Sequence, residues 1–142
     1  MIPILNQNIN SYLKKFELPI CLEFDEQMQE TIINGRSDME YDQFSGGEKT
    51  RIDMSVLLSF FNISRIISNW SCNLLFIDEI LDGGIDKNGI EQFLATLYNI
   101  VSDNEKKLGI YLVSHKIDDV KIEINKTIEI KKKGLFSELE VK

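Results

Sequence analysis

The sequence is poor in the residues that build metal and disulfide scaffolds, with two cysteines and a single histidine in 142 residues. Cys21 and Cys72 stand in apolar settings without a C-x-x-C pair or a nearby histidine, which argues against a zinc site or a disulfide framework and for buried thiols in a reducing compartment. No apolar run approaches the roughly 18 residues needed to span a bilayer, and no basic stretch followed by an apolar core opens the chain. A soluble, intracellular, cytoplasmic protein is expected, with no membrane partner. Positive charge is in deficit as well. A net charge of −7 excludes broad, nonspecific attraction to nucleic acid over the whole surface, though it leaves a local basic patch open. Internal repeats and low-complexity tracts are absent. So is the phosphate-cradling loop G-x-x-x-x-G-K followed by serine or threonine: Gly46-Gly47-Glu48-Lys49-Thr50 has a similar composition in the wrong order.

What is present suffices for one domain with a real core, since 43% of the residues are hydrophobic. Apolar positions at helical spacing over residues 3–16, from Ile4 and Leu5 to Leu13 and Phe16, predict an amphipathic helix that ends before Pro19. Its abrupt start suggests a chain cut from something longer. Residues 19–24 read as a strand, Asp25-Glu26 as a turn and Met28 to Ile33 as the returning strand of a hairpin, with residues 34–38 as a polar loop. From Glu48 to about Ser68 the sequence is apolar on too many faces for a surface helix, which predicts a mostly buried one. Trp70 and Cys72 fall in a short connection. Two apolar runs of strand length follow, residues 73–77 and 109–113, of the kind found in a parallel sheet covered on both faces. A helix between them, capped by Asp86 and carrying Ile90, Phe93, Leu94, Leu97 and Val101 on one side, makes a right-handed crossover unit. Alternation over Lys121 to Lys131, the turn at Gly134 and residues 135–141 predict a terminal antiparallel hairpin. The fold class is α/β.

Four short stretches carry candidate chemistry. Ser45 and Glu48 form a capping box at a helix start, and Gly46 and Gly47 leave the first amides unshielded, so an anion can approach the positive end of the helix. A well-capped helix that binds nothing explains the same residues. Asp78 and Glu79 end the first apolar strand, where open α/β sheets bind ligands. There Asp78 can hold Mg²⁺ through water and Glu79 can polarise a water toward a phosphoryl group. The bland alternative, a strand running out into solvent, accounts for one acid better than for two. His115 follows Ser114 at the end of the second strand, within reach of the same space. Asp82, Gly83, Gly84 and Asp86 form a tight loop that serves either as a turn with a helix cap or as a contact to a partner's site.

In this order, Phe44-Ser45-Gly46-Gly47-Glu48, Leu74 to Glu79, Asp82 to Asp86 and Ser114-His115 resemble the signature motif, Walker B strand, D-loop and H-loop of the carboxyl-terminal half of an ABC-type ATPase head. The resemblance covers nearly the whole chain. Ser45 to Arg51 and the long helix behind them look like the SMC and SbcC branch, and the opening helix and hairpin are similar to the re-entry from coiled coil into an SbcC-type head. Residues 1–17 would be the helix leaving the coiled coil and residues 18–142 the lobe. Phage recombination endonuclease subunits are similar. The resemblance implies ATP and Mg²⁺ as ligands, with Glu79 as general base, Asp78 supporting Mg²⁺ and His115 contacting the γ-phosphate. Ser45, Gly46, Gly47 and Glu48 would bind the nucleotide of an opposing head, and Asp86 would lie across that dimer interface. Lys49 and Arg51 would relay nucleotide state, or simply form a solvated first turn. It implies as partners an amino-terminal half carrying Walker A, a second head, an SbcD-like nuclease and double-stranded DNA. Without Walker A this chain alone is expected to be inactive. Lys121, Lys126, Lys131, Lys132 and Lys133 would form part of a DNA-facing edge, or a solvated edge strand protected from aggregation. Two departures from the pattern concern the D-loop: Ile80 and Leu81 replace the usual proline and threonine, and the loop is one residue longer than in typical transporters. The same motifs fit a RecF-like or chromosome-structuring ATPase without a nuclease, and a non-enzymatic regulatory half-head.

Overall fold

The computed structural model describes residues 1–67, 73–102, 108–116 and 124–141. Trp70, Cys72, the stretch after Ser102 to Lys107, Lys121 and Ile122 lie outside the described residues. Helix α1 spans Ile2–Lys15 and turns Leu5, Ile9, Tyr12 and Leu13 inward, as the spacing predicts. It ends at Phe16, where Glu17 takes a left-handed φ of 55° and the Leu18 amide reaches back to Leu13 O at 3.0 Å. Strands β1 (Cys21–Phe24) and β2 (Glu30–Asn34) pair antiparallel around the expected turn. The predicted polar loop at residues 34–38 instead makes a tight turn at Gly35 (φ 65°) into a third strand, β3 (Ser37–Met39), which pairs with β2. A left-handed glycine beside Asn34 lets the chain reverse in two residues.

After a 3-10 turn at Tyr41–Gln43, helix α2 (Gly46–Ile67) runs between two apolar clusters. Ile52 and Ile63 pack with α1 and the three-stranded sheet. Met54 and Leu58 pack with the remaining lobe. Ser55 and Ser59, both fully buried, return their hydroxyls to Arg51 O (2.8 Å) and Ser55 O (2.7 Å), so the helix presents small satisfied positions to the core. Burial is not complete, however: Phe60 is exposed, as are Ile66 and Ile67 at the carboxyl end.

Strand β4 (Leu74–Asp78), helix α3 (Lys87–Ser102) and strand β5 (Gly109–Val113) form the parallel unit, in register from Leu74↔Gly109 to Asp78↔Val113. Ile77, Ile110 and Leu112 face the cluster built on Phe93 and Leu97. The expectation of cover on both faces fails here. Leu74, Phe76, Tyr111 and Val113 are exposed, with Phe76 stacked on Tyr111 at 5.0 Å, because the described residues supply only two strands and one layer of helix to this sheet. Strands β6 (Ile128–Lys133) and β7 (Phe136–Val141) form the terminal hairpin about Gly134 (φ 67°). It starts later than expected, because Ile124 to Thr127 are not strand. One face carries Ile128, Ile130, Leu139 and Val141, all exposed.

Candidate functional site

The signature stretch folds as its capping box demands. Ser45 donates its amide and its hydroxyl to Glu48 Oε2 at 2.8 and 2.7 Å, and Glu48 N–H returns to Ser45 Oγ at 3.4 Å. The Ser45 hydroxyl, then its amide, holds the Glu48 carboxyl below its usual range. Gly46 and Gly47 open α2, and their backbone lies directly against that of Gly84, while Gly83 lies against the Thr50 side chain. A Cβ at Gly47 would stand 2.8 Å from Gly84 O, one at Gly84 would stand 3.1 Å from Gly47 N, and one at Gly83 would strike Thr50 Oγ1 at 2.5 Å. The glycines therefore serve a loop-to-loop contact inside the chain. Side chains would push the two loops apart.

Arg51 crosses from the same helix to Asp86 Oδ1 at 2.6 Å, while Asp86 accepts the Gly89 amide at 3.0 Å and caps α3. The Gly89 amide, followed by the nearby Arg51 guanidinium, keeps the Asp86 carboxyl below its ordinary range. Lys49 turns the other way, to Asp42 at 3.3 Å and over the Tyr41 ring. Of the two relay candidates, only Arg51 touches the D-loop.

At the ends of β4 and β5, Glu79 adopts φ 53°, ψ 9°, an uncommon left-handed backbone for a residue with a side chain. Its amide extends the parallel ladder to Val113 O at 3.0 Å, and its carbonyl accepts the Asp82 amide at 2.9 Å, so the strained residue is pinned on both sides. Ligand atoms of Glu79, Asp82 and His115 all lie within 4.8 Å of one another. Asp82 Oδ1 accepts the Ser114 hydroxyl (2.7 Å) and the His115 amide (3.1 Å), and these bonds, the hydroxyl first, lower its pKa. Asp82 Oδ2 is shut off from solvent and has no hydrogen-bond partner among the described residues. Lys116 Nζ ties back to Gly83 O at 2.6 Å. Asp78, exposed at the strand end, is not part of this cluster. Two carboxylates and an imidazole at one strand edge fit the hydrolytic side of a phosphoryl site and can accept protons or a hydrated cation. These residues supply no phosphate cradle.

Sequence reasoning missed Thr50, Lys116 and the inward role of Asp82. Lys116 was signalled only by following Ser114-His115, and Thr50 only by lying one helical turn beyond Gly46, whose carbonyl its hydroxyl bonds at 3.0 Å. In the terminal hairpin, Lys131 pairs with Glu140 (2.6 Å) and Glu129 (3.3 Å), and Lys133 with Glu138 (3.1 Å). Two of the basic residues considered for a DNA-facing edge thus bond within their own hairpin. No helix among the described residues is long and apolar enough to cross a membrane.

No known family model matches the chain. It is 37% identical over 137 residues to exonuclease subunit 2 of Enterobacteria phage T4, covering 96% of this chain and 23% of that protein. Exonuclease subunit 2 of Escherichia phage RB69 is 31% identical over 141 residues, covering 99% of this chain and 24% of that protein. The chain thus spans about a quarter of the length of the curated relatives it matches. Among solved structures, a chain from work on ATP-driven dimerization and DNA-stimulated activation of SMC ATPases superposes with a TM-score of 0.68 at 16% identity, covering 99% of this chain and 84% of the other. An SMC head bound to the C-winged helix domain of ScpA gives 0.68 at 14% identity, covering 99% of this chain and 42% of the other. The chain is therefore a relative of the SbcC-like phage exonuclease subunit 2 proteins and has the α/β fold of an SMC ATPase head segment.

Proposed function

We propose that this chain is the carboxyl-terminal half of the head of an ATPase that works with an SbcD-like nuclease subunit in DNA-end processing. The observation that carries the proposal is the meeting of Glu79 and His115 at the ends of adjacent parallel strands, around Asp82. In this reading Glu79 accepts a proton from a water as the water oxygen bonds to the γ-phosphorus. The bond to the bridging oxygen breaks, and ADP and phosphate leave. His115 contacts the γ-phosphate, and Asp78 would hold Mg²⁺ through water, an ion that would neutralise phosphate charge there. Ser45, Gly46, Gly47 and Glu48 present the start of α2 to the nucleotide of an opposing head, so that binding there joins two heads. Asp86 lies beside that interface, held by Arg51.

The amino-terminal half carrying Walker A covers the outer face of β4 and β5, which explains why Phe76 and Tyr111 are exposed here. Helix α1 leaves the coiled coil. The assembled machine works on double-stranded DNA in the cytoplasm of the phage host. Steady-state ATP hydrolysis by this chain, alone and co-expressed with a Walker A half, tests the proposal. Activity only in the mixture, abolished by Glu79→Gln, is expected. Hydrolysis by the chain alone, or none in a mixture whose halves demonstrably associate, refutes it.

A further inference from the structure

We propose that Asp82 is a positioning residue that fixes the separation of Glu79 and His115 by tethering the loop after β5 to the turn after β4. This rests on the ATPase reading of the site, and it moves Asp82 from a surface that faces a partner to a brace inside the chain. One residue bonds to both candidate catalytic groups through their backbones. The Asp82 amide donates to Glu79 O at 2.9 Å, and Asp82 Oδ1 accepts the His115 amide at 3.1 Å. The Ser114 hydroxyl, at 2.7 Å, occupies a second lone pair of the same oxygen, and it in turn accepts the Lys116 amide at 3.1 Å. Three successive residues of the loop are thereby organised by one carboxylate oxygen. Lys116 Nζ completes the brace in the opposite direction, on Gly83 O at 2.6 Å.

Without this brace, the backbone bond that the His115 loop shares with the turn among the described residues is that from the Glu79 amide to Val113 O, which lies before the histidine loop begins. His115 is exposed, so packing does not hold it. A reacting group displaced by about 1 Å loses on the order of a hundredfold in rate, so an exposed histidine needs such a tether. Asparagine retains Oδ1 as an acceptor and alanine does not. The pair of variants therefore separates the tether from the charge.

Two measurements test this. In the mixture with the Walker A half, Asp82→Ala is expected to lower kcat by on the order of a hundredfold with KM for ATP within about threefold, and Asp82→Asn to recover it to within about fivefold. In the 142-residue chain alone, amide hydrogen exchange at His115 is expected to speed up at least roughly tenfold in Asp82→Ala, with the Glu79 amide unchanged and Asp82→Asn restoring protection. Unchanged exchange at His115, or equal acceleration at His115 and Glu79, overturns the tether, because the second result marks general loosening. Restored protection in Asp82→Asn without restored kcat also overturns it, and assigns the requirement to the unpartnered Oδ2. If the unmutated mixture hydrolyses no ATP, the ATPase reading fails and the exchange data still decide whether Asp82 holds His115.

Discussion

Replacing Asn10 with alanine is expected to destabilise the chain by about 2–5 kcal/mol, a large effect for an asparagine on a helix. Among the described residues strand β1 pairs only with β2, so alternate residues on its other side, Leu22 and Phe24, turn their backbone groups away from the sheet. Helix α1 meets them with two asparagines one turn apart. Asn10 donates to Leu22 O at 2.9 Å and accepts Leu22 N–H at 3.0 Å, and Asn6 does the same for Phe24 at 3.0 and 2.9 Å. Each side chain imitates a neighbouring strand. Leu22 is 2% exposed, so removing Asn10 strands a donor and an acceptor that water scarcely reaches, at about 1–3 kcal/mol each. The better helix propensity of alanine returns about 0.5 kcal/mol. Phe24 is only half-buried, so water replaces more of what Asn6→Ala removes, and about 1 kcal/mol is expected there. Asn10→Asp keeps the shape but turns an oxygen toward Leu22 O and Asn6 O, the acceptors of the Asn10 amide. Ionisation is then disfavoured in the fold, and the folded pKa rises above the ordinary value of about 4. A group with a raised folded pKa stabilises below its unfolded pKa and loses that contribution as pH rises through the folded one. The aspartate variant should therefore lie near the unmutated chain at pH 3.5 and fall behind it at pH 7. Urea unfolding at constant m-value measures all three variants. A loss below about 0.5 kcal/mol for Asn10→Ala, or equal losses at Asn6 and Asn10, would refute the reasoning.

Asp86→Ala should lower stability by about 1 kcal/mol through loss of the α3 cap. The Asp86 carboxyl is held below its ordinary range, so its contribution is present above the unfolded pKa of about 4 and disappears as pH falls through the folded value; unfolding curves between pH 3 and 7 should converge with those of the variant at the acid end. Gly83→Ala should cost about 1–3 kcal/mol, although a φ of −59° suits any residue, because its new methyl meets Thr50 Oγ1; adding Thr50→Ala should recover most of the loss in a double-mutant cycle. Phe76→Ser with Tyr111→Ser should raise the monomer fraction of the isolated chain in sedimentation velocity, since these stacked rings dominate the uncovered sheet face. A monodisperse unmutated monomer would remove the basis of that expectation.

The legible parts of the fold were those with a single period. Helix α1 announces its buried stripe at three- and four-residue spacing, and the hairpin of β1 and β2 is marked by Asp25-Glu26. Strand β3 was not legible, because three residues reading Ser-Asp-Met carry no alternation and pair only because Gly35 reverses the chain beside them. The apolar runs of β4 and β5 correctly signalled a parallel pair of strands, but not its burial, which holds on one face only. They could not reveal that this chain covers one face alone, since a run of Leu, Phe and Ile reads the same whichever molecule supplies its cover. In the site, the order of short motifs placed Glu79 and His115 at neighbouring strand ends. Asp82 was hidden because an aspartate before two glycines reads as a turn residue, whereas its carboxylate reaches a partner 32 residues away.

The glycines at the start of α2 illustrate how two constraints act on one position. Read from sequence, Gly46 and Gly47 permit an anion to approach bare amides; in the fold their backbone also lies against Gly84. Both uses require the same missing Cβ, so the residue type cannot separate them. In the proposed ATPase, this contact would couple the start of α2 to the loop after β4. The ion pair between Arg51 and Asp86 is the conspicuous link, yet the Asp86 side chain is 64% exposed, and a pair so placed contributes about 0–1 kcal/mol. Backbone against backbone is different, because a side chain at Gly47 or Gly84 would meet the opposite backbone and could be accommodated only by moving one element away from the other. In the proposed ATPase, the start of α2 and the loop after β4 would therefore move together when an anion binds, with Arg51 and Asp86 keeping the two elements in register. Neutralising that pair should weaken the coupling of nucleotide sites modestly, and inserting a methyl at Gly84 should disrupt it.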